Sequence, residues 1–189
     1  MRVSRAQAAL HRERIVDEAA RLFRERGFDG ISVADLMRAA GLTHGAFYGH
    51  FPSKQALMGA ACKRAVGTML AEWEAVAASS PERPLDAVVA AYLSARHRDE
   101  PGTGCLMAAV GPEASRQSRA VRKVVTECLE DVLDFLTRCA PGRTPTARRQ
   151  TAVATFASLV GALIVARAVS DVQLSDEMLN VARRGHRGR

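Results

Sequence analysis

Residues 43–50, which read THGAFYGH, carry the most unusual chemistry in the chain. They combine polar side chains that could hydrogen bond to a partner with two glycines, Gly45 and Gly49. A glycine inside a helix costs about 1 kcal/mol relative to alanine, so two of them in so short a helix indicate a backbone that must approach another molecule closely. A helix thinned in this way fits the major groove of DNA, where its polar side chains reach base edges. We call residues 43–50 the reading segment.

The residues before the reading segment predict the elements that must hold it. Apolar residues at helical spacing predict a first helix over residues 6–26, ended by Gly27. Ser32 followed by Asp35 resembles a capping box and predicts a short second helix that ends before Gly41. Thr43 is predicted to cap the third short helix. Two short helices joined by a tight turn form a helix-turn-helix candidate.

The remaining residues predict further helices separated by glycine and proline. The predicted helices cover residues 54–78, 85–98, 105–110, 118–138 and 146–170, and a last one runs from Ser175 to about Arg184. Residues 183–189 are predicted to form a frayed, solvated tail. The sequence therefore predicts an all-α protein of about nine helices, with a three-helix DNA-binding domain over residues 1–52 and a larger helical domain over residues 53–189.

Composition narrows the class of protein. The net charge of +7 is carried by 24 arginines and three lysines, which is compatible with a polyanionic partner. Four cysteines without metal-ligand spacing predict reduced thiols, no bound metal and no cofactor. The N-terminus lacks the apolar run of a secretory signal. Residues 150–166 carry no charge but are shorter than a membrane span, so we expect a buried helix, no membrane partner and a cytoplasmic protein.

Residues 12–57 resemble the DNA-binding domain of the TetR family of bacterial transcriptional regulators (TetR/AcrR type). The matching stretches are IVDEAARLF at 15–23, GFDGISV at 27–33, AAGLT at 39–43 and FYGHFPSKQAL at 47–57. This signature covers about a quarter of the chain. The rest is similar to the family in being helical and of suitable length, and in its Gly104-Cys105-Leu106 loop.

The resemblance implies a homodimer on double-stranded operator DNA, with two recognition helices in successive major grooves roughly 34–36 Å apart. By this resemblance Thr43, His44 and Gly45 contact bases or adjacent phosphates. Tyr48 and His50 grip the DNA backbone with Lys54, and Ser32 receives a phosphate at a helix N-terminus. Simpler roles stay open, namely capping alone for Ser32 and Thr43, a core ring with an exposed hydroxyl for Tyr48, and a solvated surface for His44.

The resemblance also implies an apolar cavity for a small-molecule effector in the C-terminal domain, coupled to the DNA-binding domain through the fourth helix. The candidate wall residues, each of which could equally be plain core, are Met69, Trp73, Tyr92, Leu93, His97, Cys105, Met107 and Phe135. Cys105 follows two glycines in a predicted surface loop near a helix N-terminus, a setting that lowers a thiol pKa. A thiol-based sensor of oxidants or electrophiles is therefore an alternative to a ligand-responsive repressor, and an inert buried cysteine is the simpler reading.

The uncharged helix over residues 146–170 is predicted to form the dimer surface with the last helix. Its small residues permit close approach of a partner helix. The interface candidates are Val153, Ala154, Phe156, Ala157, Val160, Gly161, Ile164, Met178 and Leu179.

Two other classes of protein remain as alternatives to a DNA-binding regulator. An enzyme is disfavoured because no catalytic motif is present. A basic helical protein that binds nucleic acid or a membrane surface without specificity would not distinguish one DNA sequence from another.

Overall fold

The computed structural model describes residues 4–186, and these residues form helices joined by short turns, with no strand among them. The all-α prediction is therefore confirmed. The α-helices are α1 (Arg5–Arg26), α2 (Val33–Ala39), α3 (Lys54–Ala78), α4 (Pro84–Tyr92), α5 (Ala95–Asp99), α6 (Leu106–Ala114), α7 (Arg119–Cys139), α8 (Pro145–Ala168) and α9 (Val172–Gly185). Two 3-10 helices cover His44–Gly49 and Pro101–Thr103.

The N-terminal helices form as their caps predict. Ser4 begins α1 by accepting a hydrogen bond from the Gln7 amide, and Gly27 ends it with φ 77°, a conformation that suits glycine. The Oγ atom of Ser32 accepts from the Asp35 amide at 3.1 Å and caps α2 as predicted. The inner faces of these helices bury Ile15, Phe23 and Leu36, which join a core that holds the reading segment.

The reading segment is a 3-10 helix rather than the α-helix that its position favoured. Thr43 occupies the N-cap position, but its side chain makes no capping hydrogen bond, so its predicted capping role is wrong. Two glycines in six residues leave little intrinsic preference for the α-helix, and 3-10 geometry is common in segments this short.

Three boundaries in the C-terminal half differ from the prediction. The helix expected over 85–98 is divided into α4 and α5 because the Ser94 side chain accepts from the His97 amide and starts a new helix. Helix α6 continues past Gly111 and Pro112 to Ala114, which is buried. Helix α9 begins at Val172 rather than Ser175, because the Asp171 carboxylate accepts from two amides of its first turn.

The predicted frayed tail is also partly wrong. Arg183 and Arg184 belong to the last turn of α9. The end of that tail, residues 187–189, and residues 1–3 lie outside the described residues.

Helix α3 is the central helix of the fold, since it packs on α1 at one end and on α7 along its length. Helix α8 packs between α7 and α9. In the C-terminal half the Trp73 ring lies 5.9 Å from the Tyr92 ring and 5.8 Å from the Phe135 ring, centroid to centroid. Buried residues of both halves form one continuous cluster, so the division at residue 52 stays a prediction that the start of α3 at Lys54 supports.

Candidate nucleic-acid interface, effector cleft and dimer face

The reading segment lies at the surface on two buried aromatic anchors. Phe47 and Phe51 are buried and stack with ring centroids 6.0 Å apart. Tyr48, between them, has 70% of its surface exposed, so the alternative that its ring belongs to the core is wrong. The side chains of Thr43 and His44 are exposed as well. The buried Phe47 and Phe51 rings therefore fix the position of a segment whose polar side chains are exposed to solvent.

The two glycines of the reading segment leave open space in front of the backbone. Apart from the adjoining residues and backbone of the same helix, no heavy atom of the described residues lies within 4 Å of a Cβ placed on Gly45 or Gly49. Neither residue has a positive φ that would demand glycine. The folded chain therefore does not need glycine at these positions, and the open space is available to a partner.

Arg12, which the sequence analysis did not single out, braces the end of the reading segment. Its Nη1 atom donates to the His50 carbonyl at 3.1 Å, and its guanidinium lies 4.1 Å over the Phe51 ring. Burial lowers the pKa of His50, and the neighbouring His11 and Arg12 lower it further. His50 is therefore placed to contact a partner as a neutral hydrogen-bonding group.

Lys54 and Ser32 both stabilise elements that carry the reading segment, Lys54 from a part-buried position and Ser32 at the surface. The Nζ atom of Lys54 donates to the carbonyls of Phe28 at 2.6 Å and Ile31 at 2.7 Å. The Ser32 hydroxyl donates to the Asp35 carboxylate at 2.6 Å, and this bond is the main cause that lowers the pKa of Asp35. The Lys54 bonds fasten the turn between α1 and α2, whereas the Ser32 bond stabilises the start of α2. A direct phosphate contact by either residue stays a prediction.

A cleft of about 490 Å³ lies where α3 faces α4 and α5. Four of the predicted effector residues line it: Met69, Trp73, Tyr92 and His97. The other four lie elsewhere. Leu93 and Phe135 are buried in the core, while Cys105 and Met107 border a narrow gap between α6 and α7. Half of the predicted residues thus line the cleft, and the prediction missed the polar part of its wall, which includes Glu72, Ser94 and Thr103.

The expectation that Cys105 is an exposed thiol with a lowered pKa is wrong. Cys105 begins α6, but only 1% of its surface is exposed, and burial raises its pKa. The burial follows from Gly104, where a Cβ would lie 2.7 Å from the His97 ring, so the glycine lets this loop pack against α5. Burial raises the pKa of Cys62 to about 12, of Cys128 to about 11, and also that of Cys139. The thiol-sensor alternative therefore loses the exposed, low-pKa cysteine on which it depended.

His97 joins the cleft to the Cys105 loop through two backbone hydrogen bonds. Its Nδ1 atom donates to the Tyr92 carbonyl at 2.7 Å, and its Nε2 atom accepts from the Cys105 amide at 2.9 Å. This pattern requires the neutral imidazole, because protonated Nε2 has no lone pair to accept with. Burial lowers the pKa of His97 to about 4, and the nearby charges of Arg167 and Arg24 act in the same direction.

This arrangement predicts a loss of stability in acid. The unfolded chain takes up a proton on His97 near pH 6.5, whereas the folded chain does so only near pH 4. Between these values the unfolded state binds more protons, so the free energy of unfolding falls as the pH is lowered, by about 2–3 kcal/mol in total. Urea unfolding at pH 7.0, 5.5 and 4.0 measures this slope. His97→Gln should flatten it and the exposed-site control His44→Gln should not; equal slopes in both variants would contradict the assignment.

The turn after α1 is tied to the C-terminal half by contacts that sequence analysis missed. The Glu113 Oε2 atom, on α6, accepts hydrogen bonds from the amides of Phe28 at 2.6 Å and Asp29 at 3.3 Å. A Cβ on Gly27 would overlap that carboxylate. Glycine is therefore required here for two reasons, its positive φ and the lack of space beside Glu113. Nearby, the Arg24 guanidinium donates to the Gly104 carbonyl at 3.3 Å.

The exposed side of α8 is apolar. Val153 is 46% exposed and Ile164 37% exposed, and the small residues Ala154, Ala157 and Gly161 lie between them at the surface. Phe156 and Leu179 are buried within their own chain and so offer little surface to a partner, and Val160 and Met178 are half-buried. The prediction missed exposed Val165 and Val181. We call the exposed set Val153, Ala154, Ala157, Gly161, Ile164 and Val165 the α8 face.

Helix α8 is long and apolar enough, by length and composition, to cross a membrane, and only 39% of its most apolar 18-residue window is buried. Helices of this kind also occur in the cores and interfaces of soluble proteins. In the part of the chain that the structure describes, no three His, Cys, Asp or Glu side chains lie together in a group that could hold a metal ion.

These features define a helix-turn-helix DNA-binding protein whose other described residues also form helices. Residues 15–61 match the family model described as bacterial regulatory proteins, tetR family. Residues 15–61 therefore carry a DNA-binding domain of the TetR family of bacterial transcriptional regulators. This similarity points to a DNA-binding regulator rather than to an enzyme.

Similar proteins support this assignment. The transcriptional repressor DhaR of Mycobacterium sp. (strain GP1) is 29% identical over 135 residues, covering 68% of this chain and 64% of DhaR. The transcriptional regulator YerO of Bacillus subtilis (strain 168) is 30% identical over 88 residues, 47% of this chain and 30% of YerO. The chain thus covers less than two thirds of either relative. The crystal structure of E. coli NemR in its reduced form has the same fold, with TM-score 0.76, 23% identity, and coverage of 93% of this chain and 94% of NemR.

Proposed function

We propose that this regulator is a cytoplasmic repressor that binds a near-palindromic operator as a homodimer and is released by a small apolar effector. The observation that carries the proposal is the reading segment, a glycine-thinned, exposed helix fixed by two buried phenylalanines. A rigid surface with open backbone space suits the major groove. The relative DhaR is named a repressor, which supports repression over activation.

The contacts with DNA follow from exposure and geometry. We assign base contacts or adjacent phosphate contacts to Thr43, His44 and Gly45, since all three are exposed at the start of the reading segment. Tyr48 and His50 follow on the same segment and are assigned to the DNA backbone. Phosphate contacts stay assigned to Lys54 and Ser32, and within the chain Lys54 also holds the turn before α2 while Ser32 caps that helix.

A second copy of the chain is the expected partner of the α8 face. Packing the same face of two subunits against each other satisfies the symmetry of a twofold dimer and removes apolar surface from water. The small residues Ala154, Ala157 and Gly161 permit the two helices to approach closely. The face predicts an interface in which each α8 lies beside its counterpart, with α9 at the margin.

The effector is expected in the cleft beside Trp73. Its wall is connected to the DNA-binding half, because the His97–Cys105 loop that borders the cleft also carries Gly104, whose carbonyl binds Arg24 of α1. A ligand that moves α5 relative to α3 therefore moves a contact of α1. This is a rigid-body route from the cleft to the reading segment.

Selection of bound sequences from random DNA at physiological salt tests the proposal. We expect a near-palindrome whose half-site centres lie about one helical turn of DNA apart. Recovery of unrelated sequences would contradict specific binding and favour a nonspecific polyanion binder. If a palindrome emerges, His44→Ala should change the preferred bases within it.

The variant Gly45→Ala separates DNA binding from folding. Its Cβ meets only open space in the free protein, so the free energy of unfolding should stay equal or rise by up to about 1 kcal/mol. In the complex the same methyl group occupies space that the DNA needs, and operator affinity should fall at least about tenfold, or 1.4 kcal/mol.

The matched control for that variant is Gly67→Ala, a change at another exposed helical glycine with open space around it, on α3 and outside the reading segment. It should leave operator affinity unchanged in fluorescence anisotropy titrations. If Gly45→Ala bound the operator as tightly as the parent protein does, the argument that DNA approaches the backbone closely at Gly45 would be wrong.

A further inference from the structure

A second groove, of about 600 Å³, lies between α6 and α7, apart from the Trp73 cleft. Its floor is apolar and includes Met107, Ala114 and Val125. Its rim carries three exposed cations on α7: Arg119, Arg122 and Lys123. Spacing of three and four residues places these cations on one side of the helix, where they face a common space.

No ion pair among residues 4–186 neutralises the positive charge of this rim. None of the three cations forms an ion pair with a carboxylate of the described residues. This sets them apart from Arg64 and Arg149, each of which binds two carboxylates. The neighbouring carboxylates are otherwise engaged, since Glu113 binds backbone amides and Glu127 binds Lys63 at 3.1 Å.

An apolar floor beneath unpaired cations fits an anion with an apolar body. Arginine forms paired hydrogen bonds with a carboxylate or phosphate, and a methionine floor adapts to an aliphatic or aromatic group. A DNA duplex would use the rim but not the floor, because a phosphate backbone offers no apolar group to bury. The combination therefore favours a small amphipathic anion over nucleic acid.

From these observations we infer that the α6–α7 groove is a binding site for a small carboxylate or phosphate that carries an apolar group. The site has a direct route to the DNA-binding half, because its floor residue Ala114 follows Glu113, which holds the amides of Phe28 and Asp29. Displacement of α6 by a bound anion displaces that contact. This regulatory step rests on the proposed DNA binding, whereas the anion site itself does not.

Isothermal titration of the full chain with decanoate, below its micelle concentration, tests the site, with decanol as the uncharged control. We expect decanoate to bind at least tenfold more tightly than decanol. The triple variant Arg119→Gln/Arg122→Gln/Lys123→Gln should lose at least tenfold in decanoate affinity. A matched triple variant at exposed cations elsewhere, Arg143→Gln/Arg148→Gln/Arg184→Gln, should bind decanoate as the parent does.

Three results would overturn the inference. Equal affinities for decanoate and decanol would show that charge does not contribute. Undiminished decanoate binding in the rim variant, with the fluorescence of the single tryptophan, Trp73, changing as in the parent, would place the anion in the cleft instead. A tenfold loss of DNA affinity in the rim variant, with no competition between decanoate and DNA in the parent, would assign the cations to DNA. Because the titration uses no operator DNA, it tests the anion site even if the proposed DNA binding is wrong.

Discussion

Replacing Gly161 by arginine is expected to turn the protein into a monomer and to weaken operator binding at least a hundredfold. Gly161 lies in the middle of the α8 face, and apart from the adjoining residues and backbone of α8 no heavy atom of the described residues lies within 4 Å of a Cβ placed there. The isolated subunit therefore accommodates the new side chain. Two arginines facing each other across the twofold axis would place like charges in an apolar interface, which is strongly unfavourable.

Sedimentation velocity and anisotropy titration measure the two parts of this result. A single half-site contact retains only part of the affinity, because binding of the second subunit is no longer intramolecular. The control is Gly67→Arg on α3, which places the same side chain at another exposed glycine with open space. A dimeric Gly161→Arg protein would show that subunits associate through another surface.

The second large effect is expected from Glu113→Ala. This change leaves the amides of Phe28 and Asp29 without their acceptor, and a hydrogen bond to a charged group contributes about 1.5–3 kcal/mol. The free energy of unfolding should fall by this amount. The two amides should also exchange with deuterium faster than in the parent, while amides in the middle of α7 are unaffected.

Two further variants separate this contact from a general loss of charge. Glu113→Gln keeps one carbonyl oxygen that can accept a hydrogen bond, so its destabilisation should be intermediate. Glu82→Ala removes an exposed carboxylate that forms no ion pair among the described residues and should have little effect. Unchanged exchange at Phe28 and Asp29 in Glu113→Ala would mean that α6 does not hold the turn.

Local signals were sufficient to predict the elements that present the reading segment. Helix α3 runs from Lys54 to Ala78 as expected, because Ser53 caps it by accepting from the Ala56 amide. The roles of Gly27 and Ser32 also follow from short-range rules of helix capping. At each of these positions the partners lie within four residues, which is the range that sequence patterns report.

The contacts that connect the two halves could not be predicted in the same way. Glu113 and Phe28 are 85 residues apart, and Arg24 and Gly104 are 80 residues apart. No pattern in the chain indicates which carboxylate meets which amide. The burial of Cys105 has the same origin, because it depends on the approach of the His97 ring to Gly104.

The predicted interface mixes buried and exposed residues of α8 for a different reason, the rotational phase of a helix. Helix α8 is rich in small and apolar residues on every side, so composition alone does not tell its inner side from its outer one. The structure places Phe156 with Leu159 and Leu163 on the inner side, at spacings of three and four residues. The exposed residues follow the same spacing one step out of phase, from Val153 through Ala157 to Ile164.

The carboxylate of Glu113 has a mechanical consequence. Residues 4–52 are held to the rest of the chain at several places: the backbone into α3, the hydrogen bonds from α6 to Phe28 and Asp29, the Arg24–Gly104 hydrogen bond, and the ion pairs of Arg64 with Glu13 and Asp17. A unit held at several places moves as one body when one of the elements that hold it moves. A shift of α6 is therefore expected to tilt the whole N-terminal unit rather than distort a single turn.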